Sequence, residues 1–393
     1  MMPASSAGRP ELRGPVARRG LDSFRDAAPA TLYLCPQGFV SGTVAADAVA
    51  AGLAWRLAGG WAAATLAQIL IRRPAGGADS IIVPVSELSA WLEANDDPAA
   101  ARLRLLADRL RAARAPWAGL ALDRPHVMGI VNMTPDSFSD GGAHDGAEAA
   151  IAHGLALRAA GATILDVGGE STRPGAAPVS VAEEIDRVVP VIRGLVAAGA
   201  LVSVDTRRAP VMAAALAAGA TILNDIQALT QPGTLDLAAA AQAPVALMHM
   251  QGEPQTMQAH PHYDMAALDV FDWLDARVAA AEAAGVPRSG ILTDPGIGFG
   301  KTLAHNLEIL AALGLYHALG AGILLGVSRK SFIGKIDGTA DPRQRLGGSL
   351  AATLDGIARG AQIVRVHDVD ETVQAVRVAE AIAEAGARPA PGF

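Results

Sequence analysis

From His126 onward the chain repeats one pattern eight times: a short apolar run of β character, then a longer Ala/Leu-rich stretch of helical period. The runs are expected as strands at 126–132, 163–168, 201–205, 221–225, 244–249, 291–294, 323–327 and 362–366. Helices are expected between them, among them 147–160, 182–198, 265–284 and 345–359. A last helix over 371–385 has Gly386 placed to cap it. Eight βα units in about 260 residues fit the (β/α)₈ TIM barrel in count and in length, which is roughly 250 residues. A doubly wound open sheet is the alternative, but it rarely needs eight such units.

Each expected strand is apolar along its length and ends on a polar group. In order these are Asn132, Asp166 with Glu170, Asp205, Asn224 with Asp225, His249, Asp294, Ser328–Arg329–Lys330, and Arg365 with His367. A single Asp in such a place more often caps a helix than does chemistry. In a barrel, however, all the C-terminal strand ends meet at one mouth, where the active site lies. Eight ends agreeing point to that mouth.

The rest of the chain is less regular. Residues 1–30 are rich in Arg, Pro, Gly and Ala and read as a flexible tail. Residues 31–116 read as an N-terminal extension of unknown role, a small appended α/β region. It has strand-like runs in TLYLC and SIIVPV and helices expected over 62–73 and 98–115. The barrel is expected over 120–390, and residues 1–115, which carry no complete motif, are expected to be dispensable for chemistry. A composition of 51% hydrophobic and 18% charged residues excludes a largely disordered chain. The most apolar stretch, 45–70, is broken by Asp47, Arg56 and three glycines, so no membrane span is expected. One cysteine, Cys35, rules out an internal disulfide framework. The arginine-rich start lacks the apolar run of a secretory signal, which makes a cytoplasmic protein the expectation. A net charge of −7 argues against general nucleic-acid binding but not against a small anion in a local basic pocket.

The loops after the strands carry the chemistry. NMTPDSFSDGG (132–142) is long, polar and turn-prone, the composition of a lid. GGESTRPGA (168–176) offers two hydroxyls and the Arg173 guanidinium, suited to an anion. DPGIGFGKT (294–302) invites comparison with the nucleotide phosphate loop, but Pro295 stands where that pattern needs glycine. Arg329 and Lys330 follow the seventh strand, and Arg365 and His367 end the eighth. Loops 7 and 8 are where barrels commonly bind phosphate. Asp205, Asn224 and Asp294 suit a heterocycle that presents N–H donors. His249, His260 and His262 fit no helical zinc spacing. Met248, Met250 and Met257 could wall a flat ligand or simply pack the core.

Together, VMGIVNMTPDSFSDGG (127–142), LDVGGESTRPGA (165–176), SVDT (203–206), LMHMQG (247–252), DPGIGFGK (294–301), SRKSFIG (328–334) and RVHDV (365–369) resemble the dihydropteroate synthase family. The resemblance covers roughly residues 120–390 and implies a pterin-binding barrel acting in folate biosynthesis. Such a transferase joins a dihydropterin pyrophosphate to p-aminobenzoate and releases pyrophosphate with Mg²⁺. It implies that Asn132 ligates the metal and that Asp205, Asn224, Asp294 and Lys330 hold the pterin, with Met248 and Val366 among the substrate contacts. Arg173, Lys330, Arg365 and His367 would be the catalytic set, with Arg365, His367 and Arg173 gripping the diphosphate. Thr172, Pro174, Phe299 and Ser331 would shape the p-aminobenzoate site, which is also the sulfonamide site. The family also suggests a homodimer. Glu253 stands where relatives often carry Thr. The alternatives are a pterin-binding methyltransferase-type barrel, which should not need STRPG, SRKS and RVHDV, and a non-catalytic pterin-binding paralogue.

Overall fold

The computed structural model describes residues 20–133, 143–171 and 179–386, with the side chains of 143–145 excepted. Eight parallel strands close into a barrel: β5 His126–Asn132, β6 Ile164–Gly168, β7 Val202–Asp205, β8 Ile222–Asp225, β9 Val245–Met248, β10 Ile291–Asp294, β11 Gly322–Leu325 and β12 Ile363–Val366. Around it run α4 Ala143–Ala159, α5 Val181–Ala197, α6 Ala209–Ala217, α7 Thr234–Ala241, α8 Ala266–Ala284, α9 Leu303–Ala311, α10 Ser331–Asp337, α11 Leu346–Ala358 and α12 Val369–Ala385. Gly386 follows α12, but at φ −65° it makes no left-handed cap. Among the described residues, no helix is long and apolar enough to cross a membrane.

The strands are short because each needs only to span the barrel wall. Outward side chains such as Val127, Leu165, Val204 and Leu247 pack under the helices. Met128, Ile164, Ile222, Ala246, Leu292, Leu324 and Ile363 form an apolar cluster capped by Trp117 and Leu122. Trp117 donates its indole N–H to the Gly290 carbonyl at 3.0 Å. The lower barrel is therefore a packed core, and the polar strand ends lie at the opposite end.

The N-terminal module precedes Trp117. It comprises β1 Leu32–Ser41, α1 Gly42–Ala50, β2 Trp55–Arg56, β3 Ala62–Arg72, β4 Ala78–Pro84, α2 Val85–Ala94 and α3 Pro98–Arg111. β3 pairs antiparallel with β1 on one side and with β2 and β4 end to end on the other. The helix expected over 62–73 is thus a strand. Its alanine content suggested helix, but from Leu66 to Leu70 the burial alternates, with Ala67 and Ile69 in and Gln68 out. Pairing on both edges overrides the helical preference of alanine, as tertiary context commonly does. The described part of the expected tail is also packed, with Leu21 and Phe24 buried in turns before β1. α3 matches its expectation, opening on Asp97, whose carboxylate accepts from the Ala100 N–H at 2.9 Å.

The module and the barrel share one core. Tyr33 of β1 meets Phe271 of α8 edge-on at 5.7 Å between ring centres. β1 and α3 lie on the 3₁₀ segment Leu313–Leu319. Trp61 and Arg114 reach the barrel backbone, donating to Ile357 and to Ala321 and His317.

Candidate functional site

The register of the first four barrel strands sets the floor of the mouth. Asn132 stands opposite Gly168, Gly168 opposite Asp205, and Asp205 opposite Asn224. Gly168 leaves room there: a Cβ on it would lie 3.5 Å from Asp205 Cβ and 3.6 Å from Asn132 Oδ1. Across the barrel, a Cβ on Gly326 would sit 3.9 Å from Arg365 Cβ and 4.0 Å from Asp294 Oδ2. Carboxylates, carboxamides and cations thus ring a floor partly free of side chains.

Asp166 organises the centre of this floor. It is wholly buried, and its Oδ2 accepts from Arg365 Nε at 2.6 Å and from Asn224 Nδ2 at 3.0 Å. Arg365 Nη2 donates to Asp205 Oδ2 at 2.7 Å. Asp166 Oδ1 has no hydrogen-bond partner among the described residues. An orphaned carboxylate oxygen is costly in a dry site, and a ligand N–H would satisfy it. Burial pushes the Asp205 carboxyl up to about 7; Arg365 pulls the other way and the Asp166 carboxylate adds to the rise. Asp294 is raised by burial too, while its Oδ1 accepts from the Gly296 N–H at 2.7 Å.

The loop after β10 is held by two lysines. Gly296 takes φ +67°, and a Cβ there would lie 1.9 Å from the His249 carbonyl oxygen, so no other residue fits. Beneath the loop, the buried Lys301 amine lies 2.8 Å from His249 Nδ1 and donates to the Gly296 and Phe299 carbonyls at 2.9 Å each. From the mouth side, Lys330 donates to the Ile297 carbonyl at 2.5 Å and lies 4.2 Å from the centre of the Phe299 ring. Burial brings Lys330 down to about 8, although Asp294 opposes the shift.

His367 Nδ1 lies 3.1 Å from Ser328 Oγ on the cationic side. Arg329 takes φ +59° and pairs with Asp368, and it stands on the mouth with Lys330, Arg365 and His367. These line a cavity of about 610 Å³ with Asn132, Asp205, Met257, Phe299 and Ser331.

Other expected site residues lie elsewhere. Val366 alternates with Arg365 and points outward, 2% exposed, into the apolar layer under the helices. Met248 packs with Ile226, Met250, Met257 and Phe299, a wall behind the cavity. Asp225 serves its own loop, accepting from the Gln227 and Leu229 N–H groups at 2.7 and 2.9 Å. His249 packs on Trp273 and Lys301 rather than lining the mouth. Thr172, Arg173 and Pro174, and most of the 132–142 loop, lie outside the described residues. Among the described residues, no three His, Cys, Asp or Glu side chains form a metal cluster.

Reading the sequence alone left Lys301 without a role and treated Asp166 only as one polar strand end. Glu170 also lines the mouth and bridges Arg207 and Arg208 at 3.2 and 2.7 Å. Glu253 meets Arg207 at 3.0 Å, so the residue that departs from the family pattern joins that network.

The pterin binding enzyme family matches residues 128–367. Dihydropteroate synthase of Escherichia coli K12 is 49% identical over 268 residues, covering 68% of this chain and 95% of the relative. The chain belongs to the dihydropteroate synthase family. A dihydropteroate synthase of Xanthomonas albilineans, solved with 4-aminobenzoic acid, is 52% identical with a TM-score of 0.65. The likeness covers 99% of that chain and 70% of this one. The same enzyme in complex with 7,8-dihydropteroate is 50% identical over 69% of this chain and 97% of that one, with a TM-score of 0.62. The match to the pterin binding enzyme family begins at residue 128, after the N-terminal module.

Proposed function

We propose that the mouth binds 6-hydroxymethyl-7,8-dihydropterin pyrophosphate and condenses it with p-aminobenzoate, giving 7,8-dihydropteroate and pyrophosphate. The observation that carries this reading is the acceptor set of the buried Asp166, Asn224 and Asp294 with the partly exposed Asp205, gathered on one floor with the cations Lys330 and Arg365. A pterin presents adjacent N–H donors on one edge, which Asp294 and Asn224 would accept. Its diphosphate would extend toward Arg365 and His367, joined by Arg173. Phe299 and Ser331, with Thr172 and Pro174, would border the arylamine.

The chemistry needs no activated nucleophile. The bond from the pterin methylene to the diphosphate oxygen breaks, and its electron pair leaves with the diphosphate. The ring delocalises the positive charge left behind. The arylamine lone pair then forms the C–N bond, and the nitrogen sheds one proton. Arg365 and His367 favour the step because charge on the leaving group grows in the transition state. Keeping water out protects the cation until the amine arrives.

The donors near Asn132 suit Mg²⁺. A single carboxamide oxygen beside the Asp205 carboxylate fits an ion that keeps several waters and takes substrate phosphate oxygens. Bound there, it would neutralise charge on the diphosphate.

The reading is tested at Asp294. Asp294→Asn places a donor where the pterin also donates, and a charged hydrogen bond contributes about 1.5–3 kcal/mol. Calorimetry should show pterin affinity at least about tenfold weaker in a folded protein. Equal affinity for the two proteins would remove Asp294 from the pterin site.

A further inference from the structure

One arginine of the N-terminal module grips the barrel at the loop that walls the mouth. Arg72, at the end of β3, reaches α8: its Nη1 meets Asp269 at 2.5 Å and its Nη2 meets Asp272 at 3.1 Å. Its Nε donates to the Tyr33 hydroxyl at 3.2 Å, which in turn donates to Asp272 at 2.8 Å. The side chains of Arg72 and Asp269 are 22% and 25% exposed, so this pair is the better shielded one, while Asp272 is half exposed.

Asp269 does more than pair with Arg72. Its other oxygen accepts from the backbone N–H groups of Asp264 and Met265, at 2.9 and 3.2 Å, tying down the end of the loop between β9 and α8. Arg72 Nη1 also lies 4.0 Å from Asp264 Oδ2, and the hairpin turn after β3 passes close by, since a Cβ on Gly76 would lie 3.0 Å from Asp264 Oδ1. One residue back, the Tyr263 hydroxyl donates to the Gly300 carbonyl at 2.8 Å, and Gln258 donates to the Gly298 carbonyl at 2.6 Å. Those two glycines flank Phe299, and Met257 of the same loop lines the cavity. An unbroken chain of short contacts therefore runs from β3 to the wall of the arylamine pocket.

Resting on the reading that this mouth joins a pterin to p-aminobenzoate, we infer that Arg72 is a positioning residue for the acceptor pocket, acting from outside the barrel through Asp269 and the loop 249–265. The pterin acceptors Asp205, Asn224 and Asp294 end the barrel strands β7, β8 and β10, whereas the contacts traced from Arg72 end on Gly298 and Gly300, either side of Phe299. Loss of Arg72 should therefore be felt by the arylamine and not by the pterin.

The test compares Arg72→Met, Arg72→Lys and Leu103→Ala with the unaltered protein. Leu103 is fully buried on α3 of the same module and makes none of the hydrogen bonds that tie the loop, so its truncation supplies a destabilised control. Arg72→Met should raise the KM for p-aminobenzoate at least fivefold, with kcat and pterin affinity within twofold. Arg72→Lys should fall between. Leu103→Ala should lower Tm with both Michaelis constants unchanged. Hydrogen exchange at residues 251–265 should quicken in Arg72→Met and not in Leu103→Ala. An unchanged KM for p-aminobenzoate, or an equal rise in Leu103→Ala, overturns the inference. Should Arg72→Met fail to fold, Arg72→Lys with an unshifted KM overturns it alone. Absence of dihydropteroate with the unaltered protein would instead sink the functional reading, and the exchange data would still decide whether Arg72 holds the loop.

Discussion

Two groups on the mouth titrate close together and in opposing senses. Asp205, pushed up to about 7 by burial, offers only acceptors and a charge to Arg365 when ionised and turns one oxygen into a donor when protonated, so activity should rise with pH through that value. Lys330, brought down to about 8 by burial, is a cation only below that value, so activity should fall above it. The pH profile of kcat/KM for the pterin substrate is therefore expected to be a narrow bell with limbs near 7 and 8. Arg stays charged over this range, so Lys330→Arg should remove the alkaline limb whatever its effect on the maximum. An alkaline limb that stays in place would assign it to another group. At this scale the sequence was informative about residue type and silent about partners. Arg365 and Asp205 were both visible as strand ends, but their pairing joins strands 160 residues apart. Nor could spacing reveal Lys301, whose partners include the carbonyls of its own loop and of His249.

Among the elements, the barrel strands were the most legible. Apolar runs bounded by turn residues fixed β5 and β10 to the residue, and the others to within two residues at either end. β3 was not legible in the same way, since its alanines favour helix and only its pairing with β1 and β4 decides for strand. The loop after β10 offers a test of how local geometry builds the site. Gly296 and Gly338 both take positive φ, at +67° and +83°, but only Gly296 faces a backbone oxygen, and nothing lies within 4 Å of a Cβ on Gly338. Alanine at either position should incur the left-handed penalty, about 1–2 kcal/mol. Gly296→Ala should lose clearly more stability than Gly338→Ala, measured as the shift of the denaturation midpoint at constant slope. Equal shifts would mean that the His249 carbonyl moves aside freely.

For the whole molecule, the sequence separated a regular barrel from an irregular N-terminal region and suggested that residues 1–115 are dispensable for chemistry in a barrel that folds. The packing makes them part of the fold. Phe271, Leu274, Leu313, Tyr316 and Leu319 are each 1% exposed or less within the core that the module and the barrel share. Burying one such side chain contributes about 1.5–3 kcal/mol, while a whole domain is stable by only about 5–15 kcal/mol. A chain beginning near Trp117 should therefore lose its cooperative thermal transition or precipitate. A truncate melting within a few degrees of the full chain would show that the barrel holds its own core. The shared core was hidden from the sequence because its halves lie more than two hundred positions apart, with Tyr33 against Phe271. The central claim, that one mouth joins a pterin to an arylamine at the expense of a diphosphate, is tested most directly by pyrophosphate release from the full-length protein with dihydropterin pyrophosphate and Mg²⁺. Release should be sustained only when p-aminobenzoate is present and should match dihydropteroate formed mole for mole. Tight pterin binding with no release in the presence of p-aminobenzoate would contradict the account.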